Sequence, residues 1–257
     1  MSAVAALLDS RGALVSLRRT LAPVPPSVIA CPGAARLRHA LEGRLLDAIV
    51  VGQKALRNPE LLQLRVQFPA LPVVVYATFK PDDGEMLARL DGPGGVAAVA
   101  VEGVDDAIVG DLVRRALLST ARRALLSAAP RYLRLSEPIQ QRAWDLLVEA
   151  VALPVQTGEI ARRLGTSREH LSRQFAAGGA PNLKRVIDLL RVITAAQLLA
   201  NPGYGVADVA RLLGFASTPH LGITVGRIAG VGAEELRRMG PMKVFESFVR
   251  NATRSRR

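Results

Sequence analysis

Thr157-Gly-Glu-Ile-Ala-Arg-Arg-Leu-Gly-Thr-Ser-Arg-Glu-His-Leu-Ser-Arg-Gln-Phe175 is the stretch on which the reading of this chain turns. Thr157 can cap a first helix, and Glu159 sits in its first turn, where negative charge is favoured. Ala161 is small, as a residue must be where two helices cross closely. Gly165, four residues on, can end that helix with positive φ. Ser167 can cap a second helix. Leu171 and Phe175 fall at i and i+4 and form its buried stripe. That leaves Arg168, Glu169, Ser172 and Arg173 pointing outward. The spacing therefore predicts two short helices joined by a tight turn, the second with a polar outer face.

The pattern recurs in Val206-Ala-Asp-Val-Ala-Arg-Leu-Leu-Gly-Phe-Ala-Ser-Thr-Pro-His-Leu221. Ala210 again stands four residues before a glycine, Gly214, which lies 49 residues after Gly165. Ser217 or Thr218 can cap the following helix, with Pro219 tolerated in its first turn. Between the two units, residues 182–199 carry Val186, Leu189, Leu190, Ile193, Ala196 and Leu198 at helical spacing. Such a helix would hold the units in fixed relation. Two helix-turn-helix units on one shared helix suit a protein that places recognition helices in the major groove of DNA.

Composition bounds the rest. The 257 residues suffice for two ordinary domains, and 49% of them are hydrophobic. No apolar run reaches the roughly 18 residues a membrane span needs. The first nine residues lack a basic flank and a cleavage pattern, so a secretory leader is not expected. Cys31 is the single cysteine, which forbids an intrachain disulfide and fits a small core residue in a cytoplasmic protein. Charge is uneven along the chain. Residues 1–130 carry 15 Lys and Arg against 12 Asp and Glu, a net +3, and residues 131–257 carry 19 against 10, a net +9. The basic half points to a polyanion, with nucleic acid first. The tail at 253–257 is basic and reads as disordered.

Residues 139–238 resemble the DNA-binding domain of the AraC/XylS family of transcription regulators. The likeness rests on Glu159-Ile-Ala-Arg-Arg-Leu-Gly with residues 167–175, on Ala195-Ala-Gln-Leu-Leu199, and on Val206-Ala-Asp-Val-Ala-Arg-Leu-Leu-Gly-Phe-Ala-Ser. Pro219-His-Leu and Gly230-Val-Gly-Ala-Glu-Glu-Leu-Arg237 extend it. The resemblance implies a seven-helix domain that inserts two recognition helices into successive major-groove segments. The chain departs from that pattern in Thr-Pro-His-Leu-Gly-Ile-Thr-Val-Gly-Arg-Ile-Ala, residues 218–229. Ile223 stands where the family usually has a basic or polar residue, and Val225 where it has an aromatic. Gly222 and Gly226 each cost a helix roughly 1 kcal/mol relative to Ala. The first unit is accordingly expected to supply more of the specificity.

Roles follow from side-chain chemistry. Arg173 suits guanine O6 and N7, and Glu169 a cytosine amino group. Ser172 suits a base or a phosphate. Arg162, Arg163, Arg168, Lys184, Arg211 and Arg227 are phosphate candidates that position without specifying. Ser167, Ser217, Thr218 and His220 complete the expected DNA-binding set. His170 and His220 precede buried leucines and read as helix-face hydrogen-bonding residues. Trp144, at helical spacing with Leu147, reads as core.

The first half alternates apolar runs at residues 3–8, 27–30, 48–51, 73–76 and 97–101 with helical patterns at 13–21, 34–41, 60–67, 84–90 and 107–126. Runs apolar nearly throughout are strands covered on both faces, so five βα units predict a five-stranded parallel sheet flanked by helices. The order resembles a response-regulator receiver, a flavodoxin-like α/β fold, here followed by an all-α domain. The expected domains are residues 1–129 and 130–257, divided near Pro130. A phosphorylated receiver needs an aspartate nucleophile after the third strand, an acidic pair for Mg²⁺, a hydroxyl after the fourth strand and a lysine after the fifth. Here those positions fall on Gly52, on Asp9 with Ser10, on Ala77 or Thr78, and on Glu102. A carboxylate in place of the lysine repels a phosphoryl group. The expectation is a pseudo-receiver that takes no phosphate on aspartate. Asp9, Gly52, Thr78 and Glu102 would rim the crevice at the strand ends.

The sequence thus favours a sequence-specific DNA-binding regulator, with double-stranded DNA as partner and no cofactor or metal. The first half would dimerise the chain, or dock a regulatory protein or small ligand. The alternative is an interaction or scaffold protein with weakened, largely nonspecific DNA binding. No Ser-His-acid set, metal cluster or nucleotide loop supports an enzyme.

Overall fold

The computed structural model describes residues 3–22, 26–80, 83, 95–150 and 156–254. It divides into two compact units, one made of Met1–Arg122 with Asn201–Gly203 and one made of Arg123–Ala200 with Tyr204–Arg257.

The first unit is a parallel sheet of β1 (Ala3–Leu7), β2 (Ser27–Ala30), β3 (Leu46–Val51), β4 (Val73–Ala77) and β5 (Val96–Val101). The order is β2-β1-β3-β4-β5, with every neighbouring pair parallel. This is the doubly wound order whose topological switch falls between β1 and β3. The three inner strands are buried at every position, which is why they read as apolar runs, interrupted only by the buried Asp47 near the start of β3, while the two edge strands are partly exposed. On one face lie α1 (Arg11–Leu21) and α5 (Val109–Ala116), whose Leu17, Leu21, Val109 and Val113 close over Val4, Val50, Val74 and Tyr76. The other described helices of this half are α2 (Ala34–Gly43), α3 (Gln53–Leu56) and α4 (Pro59–Gln67). Cys31 is buried just beyond β2, as a small core residue should be. The helix expected at residues 84–90 lies outside the described residues.

One expected helix is broken. Residues 107–126 form α5 and then α6 (Leu118–Leu125), because Leu117 leaves the helical region at φ −58°, ψ 142°. The backbone bond lost at the break is replaced in part by the Thr120 hydroxyl, which donates to the Arg114 carbonyl at 2.7 Å. Leu117 itself is buried in the core of the sheet face. The sequence shows an uninterrupted apolar periodicity there, with no Gly or Pro to announce the break.

The second unit is helical. It runs α7 (Ala129–Tyr132), α8 (Pro138–Ala150), α9 (Thr157–Arg163), α10 (Arg168–Phe175), α11 (Leu183–Leu199), α12 (Val206–Leu212), α13 (Thr218–Ala229) and α14 (Ala233–Arg254). Pro130 lies in the first turn of α7, where a missing N–H costs nothing. Within α14, Gly240 at φ 72° followed by Pro241 divides the helix into two segments. The centre is α11. Val186, Leu189, Leu190, Ile193, Ala196 and Leu198 are all buried, and so are Ile187, Val192 and Ala195 on its other sides. A helix apolar over most of its surface must be largely enclosed, and α14, α13, α12 and α8 enclose it. Trp144 is buried with Leu147 in α8.

Truncating the centre of α11 should be costly. Leu189 is fully buried, so Leu189→Ala is expected to destabilise the protein by about 2–5 kcal/mol. Denaturant unfolding monitored by far-UV circular dichroism checks this. A change below about 1 kcal/mol would contradict a close-packed α11.

Candidate nucleic-acid interface

Each unit is built by the same local rules. In the first, α9 ends at Gly165 (φ 64°) and α10 begins at Ser167, whose hydroxyl accepts from His170 N at 3.1 Å. In the second, α12 ends at Gly214 (φ 64°) and α13 begins at Ser217, whose hydroxyl accepts from His220 N at 3.3 Å. A positive φ strains any side chain, so the two glycines fix both turns. Ser217, not Thr218, is the second cap. The expected cap at Thr157 is not made: Thr157 is the first helical residue and Gln156 stands at the N-cap without a side-chain bond. The backbone N–H of Gly205 is instead satisfied by Asp208, at 3.0 Å, at the corresponding end of α12.

The buried sides match position by position. Leu171 and Phe175 of α10, and Leu221 and Val225 of α13, are fully buried. The outer face of α10 exposes Arg168, Glu169 and Arg173, with Ser172 at its margin. The outer face of α13 exposes Thr218, Pro219, His220, Ile223, Gly226 and Arg227, with Gly222 at its margin. Neither glycine interrupts α13, which is helical throughout. The His220 ring meets Phe215 edge to face, with centroids 5.6 Å apart.

The cationic candidates fall into two groups. Arg162 and Arg163 both hold Glu159, Arg163 at 3.0 Å. These guanidinium contacts, Arg162 first, keep the Glu159 carboxyl below the usual range. Arg211 pairs with Asp208 at 2.9 Å. Arg227 reaches across to Asp188 of α11 at 2.5 Å. Arg168, Arg173 and Lys184, by contrast, enter no ion pair among the described residues, and all three are exposed. Lys184 lies beside Asn182, Arg185, Asp188 and Arg227 around an open basic depression of about 360 Å³.

Three residues that fix this surface escaped the sequence reading. Asp188 is buried on α11 and receives Arg227, with Arg191 at 4.0 Å. Arg191 lies 3.7 Å over the Phe215 ring and donates to the Leu213 carbonyl at 2.9 Å. Its burial pulls its basicity down, against the opposing pull of Asp188. Gln140, fully buried on α8, donates its amide to the carbonyls of Phe175 (2.9 Å) and Ala177 (3.1 Å) and so satisfies groups left open at the end of α10. A lone acid inside an apolar helical pattern is the one signal that would have flagged Asp188.

At the carboxyl ends of the strands, Asp9 and Gly52 meet. A Cβ on Gly52 would lie 2.7 Å from Asp9 Cγ, and the Asp9 carboxylate accepts from Lys54 N at 3.0 Å. Glu102 follows β5 and takes the Ser10 hydroxyl. Thr78 is exposed just after β4. Asp83 accepts from Gln53 (2.6 Å), Arg57 (3.0 Å) and Lys80 N (2.8 Å), which tie it to the segment that follows Gly52. Those contacts, the Lys80 N–H first, hold its carboxyl below the usual range.

Residues 160–239 match the family described as "Helix-turn-helix domain", the AraC-type DNA-binding domain of transcription regulators. No curated protein sequence matches the chain. Among solved structures it is similar to the C-terminal domain of AraT, a response regulator from Geobacillus stearothermophilus, at 20% identity over 40% of this chain and 86% of that one, with a TM-score of 0.37. The response regulator StyR shows 16% identity over 72% and 96%, with a TM-score of 0.36. Full-length FixJ from B. japonicum shows 15% identity over 90% and 98%, with a TM-score of 0.36. No helix among the described residues is long and apolar enough to cross a membrane.

A Cβ at Gly222 or Gly226 would meet nothing within 4 Å. Gly222→Ala and Gly226→Ala should therefore each stabilise the chain by about 1 kcal/mol through helix propensity. Thermal unfolding checks this, and a lowered midpoint in either variant would contradict an unstrained α13.

Proposed function

We propose that this chain is a sequence-specific transcription regulator that sets α10 and α13 into major-groove segments of double-stranded DNA. The observation that carries the reading is the repeated unit: two serine-capped helices, in the same register, with their apolar stripes buried in one helical frame and their other faces exposed. Arg173 and Glu169 are the hydrogen-bonding base readers, aided by Ser172. Arg168 and Lys184, which have no ion-pair partner among the described residues, contact phosphate. Ser167 and Ser217 cap the helices and leave each hydroxyl proton free for a phosphate oxygen. Arg162, Arg163 and Arg211, each on a local acid, and Arg227, on Asp188, add positive field and orientation. Thr218 and His220 border the second reader. The first unit supplies most of the hydrogen-bonded specificity, since α13 offers few polar groups.

The α/β half works in signal input or in dimerisation, without phosphorylation on aspartate. The support is chemical. The nucleophile position is Gly52, the space beside it is taken by the Asp9 carboxylate, and the lysine position holds Glu102 bonded to Ser10. A regulatory protein or small ligand acting on this half would use groups other than a receiver's metal and phosphoryl chemistry.

Two measurements test these statements. Selection from random duplexes at stated salt should enrich a defined site. On that site Arg173→Ala should cost about 1–3 kcal/mol and relax the preference at one guanine. Thr218→Ala with His220→Ala should cost less. Enrichment of no site, or a larger loss from the second pair, contradicts the reading. Separately, incubation with acetyl phosphate and Mg²⁺ should add no phosphoryl mass to residues 1–122. A labelled aspartate there would overturn the pseudo-receiver assignment.

A further inference from the structure

We infer that Ile223 is a specificity-determining residue of the second unit, and that it packs on the 5-methyl groups of thymine. The inference rests on the major-groove reading above and gives the second unit a chemistry of its own.

The caps set the register. Ser167 and Ser217 each accept from the histidine N–H three residues on, and Leu171 and Leu221 follow as the first fully buried residues of their helices. Counting from the caps, Ile223 stands where Arg173 stands in the first unit, and Gly222 where Ser172 stands. The position that presents a guanidinium in α10 therefore presents a branched hydrocarbon in α13. Ile223 is 71% exposed, although isoleucine is among the residues most often buried, and Ile160, Ile187, Ile193 and Ile228 of this domain are all in the core.

The surroundings match an apolar reader. Gly222 and Gly226 flank Ile223, and the space where a Cβ would stand is open at both. A side chain as short as isoleucine reaches a base edge only if the helix backbone comes closer to it than an arginine requires. Two bare glycines on that side permit the approach. Thr218, one turn before Gly222, is exposed as well. Arg227, one turn beyond Ile223, is held by Asp188 at 2.5 Å, which fixes α13 on its frame from the side. In the major groove the one apolar group a base presents is the thymine methyl. An exposed Ile between two glycines is complementary to that group and to no hydrogen-bonding edge.

The test uses the full chain and a duplex selected by it from a random pool. Thymines of that duplex are replaced one at a time by deoxyuridine, which removes only the methyl. Loss at one or two thymines in the segment not read by Arg173, by about fourfold per methyl, is the expected result. Ile223→Ala should bind the thymine and uracil duplexes equally. Arg173→Ala should keep the thymine preference while losing selectivity at its guanine. Uniform tolerance of uracil, or a thymine preference that survives in Ile223→Ala, would overturn the inference while leaving the DNA-binding reading intact. Failure of the pool to yield any preferred duplex would overturn both. Ile223 is exposed, so its truncation does not threaten the fold, and an unchanged thermal midpoint confirms that the variant is folded.

Discussion

A helix buried on nearly every side imposes order on whatever surrounds it, and α11 imposes it on the second half of this chain. Its apolar residues require neighbours all round, and α12, α13 and α14 supply them directly. Burying one leucine-sized side chain is worth about 1.5–3 kcal/mol, so the eight fully enclosed aliphatic residues of α11 outweigh any single surface pair here. Polar bonds then fix orientation within that packing. Asp188 is out of water and has to be compensated, and Arg227 of α13 compensates it. Arg191 closes the carboxyl end of α12 while lying on Phe215. The first unit is reached at one remove, through α8, where Gln140 closes the end of α10.

The two halves treat a family resemblance differently. In the helical half the resemblance is carried by residues that do the structural work: small residues at crossings, glycines at turns, serines at caps. In the α/β half it is carried by the sheet order and the buried inner strands. At the end of β3, Gly52 leaves room for the Asp9 carboxylate, which accepts from Lys54 N.

Much of this was legible in the sequence because it rests on local signals. The five strands fell within two residues of their observed ends at each boundary, since continuous Val, Ile and Ala runs have few other uses. The turns at Gly165 and Gly214 were fixed by spacing alone, and so was the apolar face of α11. The break at Leu117 was not legible, because it depends on how one residue packs between helix and sheet and on a hydroxyl bond from Thr120. The absent cap at Thr157 failed for a related reason: the helix starts one residue earlier than the cap pattern suggests. Asp188, Arg191 and Gln140 gain their roles only from partners distant in sequence. The outer face of α13 was legible in composition but not in meaning. Ile223 reads as a lost polar contact until the cap register aligns it with Arg173.

The claim that two unequal reading helices act together on one duplex is tested most directly by hydroxyl-radical footprinting of the full chain on its selected site. Two protected windows are expected on one face of the DNA, offset by about one helical turn, roughly 10 base pairs, one flanking the guanine proposed for Arg173 and one flanking the thymines proposed for Ile223. A single protected window, or uniform protection along the duplex, would contradict it.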